Sequence, residues 1–237
     1  MSFSLKRIYA IFYKDLKDLM KNMFVLTTVL TPVLFAVLTV QSEPLHFDVH
    51  YLIINLVFIM TTVFLQGAII AEEKEKNTLR GLMMSPATTT EILIGKSGLS
   101  VLLTIITLAL CIRITGYEFV YANALFLALF LSFILYLAMG TLLGLLARTV
   151  VEASLVLMPL MFVFGLGSLL LEIISDYPSL VFLEYLPNFH LQFLVEAVDA
   201  GKAFREVTGN LIVIALWMVF VCFLTVMVYR KREVDGK

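Results

Sequence analysis

Charge is what this 237-residue chain has least of. Asp, Glu, Lys and Arg make up 15% of it, against about 25% in soluble domains. With 61% apolar residues and a mean hydropathy of +0.99, that scarcity excludes intrinsic disorder and an ordinary soluble domain. Neither sign dominates: 17 basic and 18 acidic residues leave a formal net charge of −1, which gives no footprint for nucleic acid. Cysteine is nearly absent. Cys111 and Cys222 both lie in apolar runs and read as small buried hydrophobes, not as a disulfide framework or a metal cluster. Asn-x-Ser/Thr sequons are missing. A cleavable signal peptide is not expected, because the first 21 residues carry charges throughout and lack an apolar segment.

Long apolar runs are what the chain has in quantity. Six are expected to cross a membrane, at about 23–41, 51–71, 97–115, 122–146, 154–171 and 208–229. They are continuously apolar rather than alternating, which argues against a β-barrel. The fold class is therefore an all-α polytopic membrane protein, a single membrane domain over 1–237. Ahead of the first run, Leu5, Ile8, Phe12, Leu16 and Leu19 recur at helical spacing. Lys6, Arg7, Lys14, Lys17 and Lys21 fill much of the remaining surface of residues 1–22. The pattern predicts an N-terminal amphipathic interfacial helix.

Basic residues alternate between the connections. With the N-terminus inside, 14 Lys and Arg fall on the cytoplasmic side and 3 outside. The positive-inside rule thus predicts six transmembrane helices with both termini cytoplasmic. Residues 172–207 are too apolar for a solvated loop and are interrupted by Pro178 and Pro187. They are expected to form short re-entrant helices in the outer leaflet before the last span. A seventh span over 180–198 is the competing reading, opposed by Glu184, Pro187 and Glu196.

The most informative stretch follows the second run: AEEKEKNTLRGLMMSPATTTEILIGK, residues 71–96. Glu72, Glu73 and Glu75 with Lys74 and Lys76 make a charged helix end, Leu79, Leu82 and Met83 a short apolar face, and Ser85-Pro86 a stop. Thr90-Glu91 is placed to cap the third span. The element over 72–96 is thus a cytoplasmic handle joined to two spans, on which a soluble partner can push. This stretch resembles the Glu-x-Glu-x-Gly-Thr-Leu-x-x-Leu-x-x-x-Pro signature of ABC-2 type ABC transporter permeases, and the likeness extends over the whole chain. It departs at Asn77, where the family usually has Gly, and at Arg80, where a polar or acidic residue is common.

The resemblance implies the type V exporter fold and a permease subunit paired with a second permease subunit, as homodimer or heterodimer. It implies two copies of a separate ABC ATPase, which bind ATP and Mg. By the same likeness, Glu72, Glu73, Glu75, Thr78, Leu79, Leu82 and Pro86 are the ATPase-coupling residues. Gly95-Lys96-Ser97 ends like a phosphate-binding loop, but Thr90 stands where that loop needs glycine. The chain is therefore not expected to hydrolyse ATP itself.

Asn55, Thr62 and Gln66 lie roughly on one face of span two. They either line a substrate cavity or hydrogen-bond between helices. The resemblance favours the cavity and adds Phe58, Phe162 and Phe164. Ser97, Ser100, Thr104, Thr107 and Cys111 mark one face of span three, and Ser132, Tyr136, Gly140 and Gly144 one face of span four. Both are expected to pack within one subunit. His46, Asp48 and His50 precede a span and follow Pro44, and no metal site is assigned to them.

The function expected is that of an exporter permease in the bacterial plasma membrane, moving a hydrophobic or amphipathic substrate such as a drug, peptide or lipid. The alternatives are a secondary transporter or channel, or an immunity or binding protein on the same scaffold. Mid-membrane ionisable residues, which the first alternative usually needs, are absent from the runs.

Overall fold

The computed structural model describes residues 3–40, 47–76, 78, 81, 85–117, 122–202 and 204–235. Every regular element among them is helical. Helix α1 (Leu5–Lys21) and helix α2 (Met23–Thr39) meet at Asn22 and are bent by 88°. The Asn22 side chain accepts from the Val25 amide at 3.3 Å, so the corner itself caps α2.

The second apolar run becomes the axis of the molecule. Helix α3 (Phe47–Leu56), a π-helical stretch (Val57–Phe64) and α4 (Leu65–Glu75) continue one another. Of the most apolar window in this rod, 94% is buried. A helix apolar all round is a core helix, and its neighbours surround it.

Helix α5 (Thr89–Thr115) begins well before residue 97, the expected start of span three. The cap is Thr88 rather than Thr90. Thr88 accepts from the Glu91 amide at 3.3 Å, and the Glu91 carboxylate accepts from the Thr88 amide at 2.7 Å, a reciprocal capping box. Gly116 ends α5 in the left-handed region at φ 67°.

Helix α6 (Ala122–Leu146) presses on the axis through two glycines. A Cβ on Gly140 would stand 2.6 Å from the Val63 carbonyl, and one on Gly144 2.6 Å from the Gly67 carbonyl. The small-residue face of span four thus serves packing within the subunit. So does the face of span three, where Ser100, Thr104, Thr107 and Cys111 are buried.

Span five is expected over 154–171, but the helix is broken inside that range. Helix α7 (Val150–Leu160) passes into a π-helical stretch (Met161–Gly165), and the chain breaks at Leu166 before α8 (Gly167–Asp176). Pro159 lacks an amide to donate, and the Asn188 side chain donates to the Val163 carbonyl at 3.0 Å. Gly167 makes room for that amide group, since a Cβ there would lie 2.3 Å from Asn188 Nδ2.

A 3-10 helix (Pro178–Tyr185) and α9 (Pro187–Asp199) follow, each opened by its proline. At 13 residues α9 is too short to cross, and it buries Phe189, Leu191, Leu194 and Val195 in the bundle. Helix α10 (Phe204–Asp235) completes the chain against α6 and α9.

Among the described residues, four helical stretches are long and apolar enough to span a membrane: Asp48–Glu75, Thr90–Thr115, Asn123–Leu146 and Phe204–Lys231. The bent pair α1–α2 raises the count to five, and Val150–Gly165 is shorter.

Because backbone faces Gly144 across the contact, Gly144→Val must part the two helices. We expect a loss of about 1–3 kcal/mol, read as a lowered thermal midpoint in detergent. Gly209→Ala, inside α10 with nothing within 4 Å of the new Cβ, is expected to hold or slightly raise the midpoint, since alanine favours helix over glycine.

Candidate coupling site

Four buried charged side chains, Asp15, Glu73, Glu91 and Lys96, lie at the end of the bundle where α1, the end of α4 and the start of α5 meet. Lys96 sits at the centre. Its Nζ donates to Asp15 Oδ1 and to Glu73 Oε1, each at 2.6 Å, and all three side chains are at most 5% exposed. Lys14 pairs with the same Glu73 oxygen. Two carboxylates and two ammonium groups thus balance in charge, which is what keeps ions tolerable away from water. Nearer the start of α1, eight residues before Asp15, Arg7 donates to Glu91 Oε2 at 2.9 Å and to the Pro86 carbonyl at 2.6 Å. The Ser4 amide donates to Glu91 Oε1 at 2.5 Å. Helix α1 is therefore tied by ions at two heights, and Ile8, Ile11 and Phe12 pack between them against Gly95 and Gly98.

The buried face of α1 is Ile11, Asp15 and Leu19, whereas Leu5, placed on the apolar face by spacing, is 73% exposed. The ion ties turn the helix so that a charged residue faces inward.

Consecutive residues at the end of α4 reach in different directions. Glu73 points to α1 and α5, as above. Lys74 Nζ donates to the Leu145 carbonyl at 2.8 Å and also to that of Ala147, at the C-terminal end of α6. Glu75 Oε2 accepts from the Val150 amide at 3.1 Å, in the first turn of α7. A cation on a helix C-terminus and an anion on a helix N-terminus both complement the helix dipole. The short turn between α6 and α7 is thereby held from both sides by neighbouring residues. Glu72 pairs with Lys76 at 2.6 Å on the exposed side. Thr78 donates to the Glu73 backbone oxygen at 3.2 Å and to its carboxylate. Leu79 and Leu82, with Asn77 and Arg80, lie outside the described residues.

The span-two row lies deep in the subunit. Thr62 and Thr104 share a hydroxyl hydrogen bond of 2.9 Å. Gln66 donates to Thr141 at 3.2 Å and accepts from Ser100 at 2.8 Å. The hydrogen bonds of Thr62 and Gln66 thus join helices. Asn55 is 1% exposed. Phe58 stacks on Tyr136 at 5.0 Å, and Phe164 meets that ring edge-on at 6.3 Å. Of the six cavity candidates only Phe162 is exposed, at 57%.

Sequence spacing put Lys14 on the basic surface of the N-terminal helix and did not join Asp15, Lys14 or Lys96 to the 72–86 element. The available signal was local: Asp15 stands four residues from both Ile11 and Leu19, in the middle of what became the buried stripe.

Burial pushes the Asp15 carboxyl up to about 6, with the Glu73 charge adding to the rise and Lys96 opposing it. A raised carboxyl pKa favours the folded state below the unfolded value of 3.8, and that advantage disappears as pH rises through about 6. From pH 5 to 7.5 the wild-type protein is therefore expected to lose about 1 kcal/mol relative to Asp15→Asn. Thermal midpoints of the two proteins across that range provide the check.

No curated protein sequence matches the chain. The profile of the ABC-2 family transporter proteins matches residues 6–229, from the first turn of α1 to the last turns of α10. That span takes in the ion-tied joint, the charged end of α4 and all the apolar helices, and the chain belongs to the ABC-2 family of transporter proteins.

Proposed function

We propose that the chain is the permease subunit of an ATP-driven exporter, moving a hydrophobic or amphipathic substrate out of the cytoplasm or inner leaflet. In this proposal the chain crosses a bacterial plasma membrane six times, with α2 and the α7–α8 segment among the crossings, and both termini and the joint are cytoplasmic, as the distribution of Lys and Arg favours. Family membership implies an ABC ATPase partner and a dimeric arrangement. Two ATPase copies bind ATP and Mg, and two permease subunits face each other.

The observation that carries this reading is the fan of contacts from residues 73–75. A push on the 72–86 element reaches α1 and α5 through Glu73, α6 through Lys74, and α7 through Glu75. Glu72, Glu75, Thr78, Leu79, Leu82 and Pro86 form the side that receives the ATPase, and Glu73 works from inside the joint. Phe58, Thr62, Phe162 and Phe164 lie in the two π-helical stretches, which pack against each other, and Asn55 and Gln66 lie beside the first. π-helical turns are frequent at functional sites. We place the wall of the substrate path there, with Phe162 presented outward and the other five set behind it.

The rival reading, secondary transport or a channel, draws no support from the placement of charge. Among the described residues the buried Asp, Glu and Lys side chains gather at the joint rather than in the middle of the spans.

The test is co-purification with a candidate ABC ATPase, using wild type and Glu72→Lys/Glu75→Lys. We expect a stable complex, ATP-dependent transport, and at least a tenfold loss of that transport in the variant. A chain that purifies alone and transports without ATP refutes the proposal.

A further inference from the structure

Helix α1 turns one face to the protein and leaves another uncovered. Ile11, Asp15 and Leu19 are buried, while Leu5, Tyr9, Tyr13 and Met20 are 73%, 64%, 44% and 69% exposed. Beside this apolar row runs a basic one. Lys6, Lys17 and Lys21 are exposed, and Lys17 Nζ stands 4.6 Å from the centre of the Tyr13 ring. Tyr9 and Tyr13 stack at 6.0 Å, making a flat aromatic platform between the two rows.

Two observations say what lies against this face. The 88° bend sets α1 across the direction of α2, so a membrane-crossing α2 lays α1 along the membrane plane. The apolar row also continues around the corner: Met20 leads to Met23 and Phe24, and then to Leu30 and Leu34, all exposed on α2. The row on α1 is thus level with the lipid-facing side of α2 where that side ends. Tyrosine and lysine are the side chains that settle at a bilayer's polar boundary, with apolar stems inward and polar tips at the headgroups. The charge there is of one sign. The acidic residues of α1 face the protein: Asp15 is paired with Lys96, and the half-buried Asp18 lies 4.0 Å from Lys14.

We propose that Lys6, Lys17 and Lys21, with the Tyr9–Tyr13 platform, form a docking surface for anionic phospholipid headgroups. Basic residues at a membrane surface attract acidic lipid, and the attraction is screened by salt. Lipid held on this face keeps α1 pressed along the bilayer while its other face carries the ion ties to α4 and α5. The inference needs a chain that spans a membrane. It stands whether or not an ATPase drives it.

The test uses the full chain in nanodiscs of phosphatidylcholine, with and without phosphatidylglycerol. Lipid retained per chain is read by native mass spectrometry, alongside the thermal midpoint. Wild type is expected to prefer phosphatidylglycerol by on the order of tenfold, with the preference falling as salt rises. Lys6→Gln/Lys17→Gln/Lys21→Gln is expected to lose most of that preference, and the matching Lys→Arg variant to keep it. Equal affinity of wild type for the two lipids overturns the proposal. So does a Gln variant that keeps the preference, which would place it elsewhere on the chain. A Gln variant that keeps the preference and instead loses a bound ATPase makes this face a protein interface. If the Gln variant does not fold, the salt dependence of the wild type and the Arg variant decides: binding unaffected by salt overturns the proposal.

Discussion

One ammonium group shared by two carboxylates governs how this bundle is assembled. Lys96 comes from α5, Asp15 from α1 and Glu73 from the end of α4. Each is nearly out of contact with solvent, so each requires the others. Removing one partner of such a set strands a buried charge, at a cost of about 3–5 kcal/mol, whereas the intact set can contribute little net stability. The yield is positional. Helix α1 can sit in one register only, with Asp15 inward, and that register determines which residues it turns outward.

From this point the constraint passes along the axis. Glu73 is followed by Lys74 and Glu75, so the same helix end that holds α1 also holds the C-terminus of α6 and the N-terminus of α7. Gly140 and Gly144 let α6 lie against the axis with backbone in contact, and Gln66 and Thr62 bond to α5 and α6 deeper in the membrane. A shift of the charged end of α4 is therefore passed to α1, α5, α6 and α7. Of the two π-helical stretches, the one on the axis is buried and contains Thr62, the other follows Pro159, and the break at Leu166 separates α7 from α8.

The apolar runs were readable because continuous hydrophobicity over about 20 residues has one physical use. The span-two and span-four runs fall within helices Asp48–Glu75 and Ala122–Leu146. Hydropathy located only the apolar part of α5, from 97 onward, while the polar pair Thr90-Glu91 marked its start two residues late: Thr88 is the cap and Glu91 its partner. The break at Leu166 was invisible for the opposite reason. Gly165, Gly167 and Ser168 sit inside an otherwise apolar run, and the side chain that competes for its backbone comes from the distant Asn188. The joint was half legible. The charged pattern at 72–76 marked the place, but Lys96 and Asp15 are distant in the chain and meet only after folding.

The most direct measurement of this account is a double-mutant cycle between Glu73 and Lys96, using Glu73→Gln, Lys96→Met and the double variant. Thermal stability in nanodiscs is read together with cross-linking between cysteines placed on α1 and α5. The account predicts that each single change loosens α1 from α5. It also predicts that the double variant costs clearly less than the sum of the two, with a coupling of about 1 kcal/mol or more. Additive costs, with α1 still cross-linking to α5 at the wild-type rate, would contradict it.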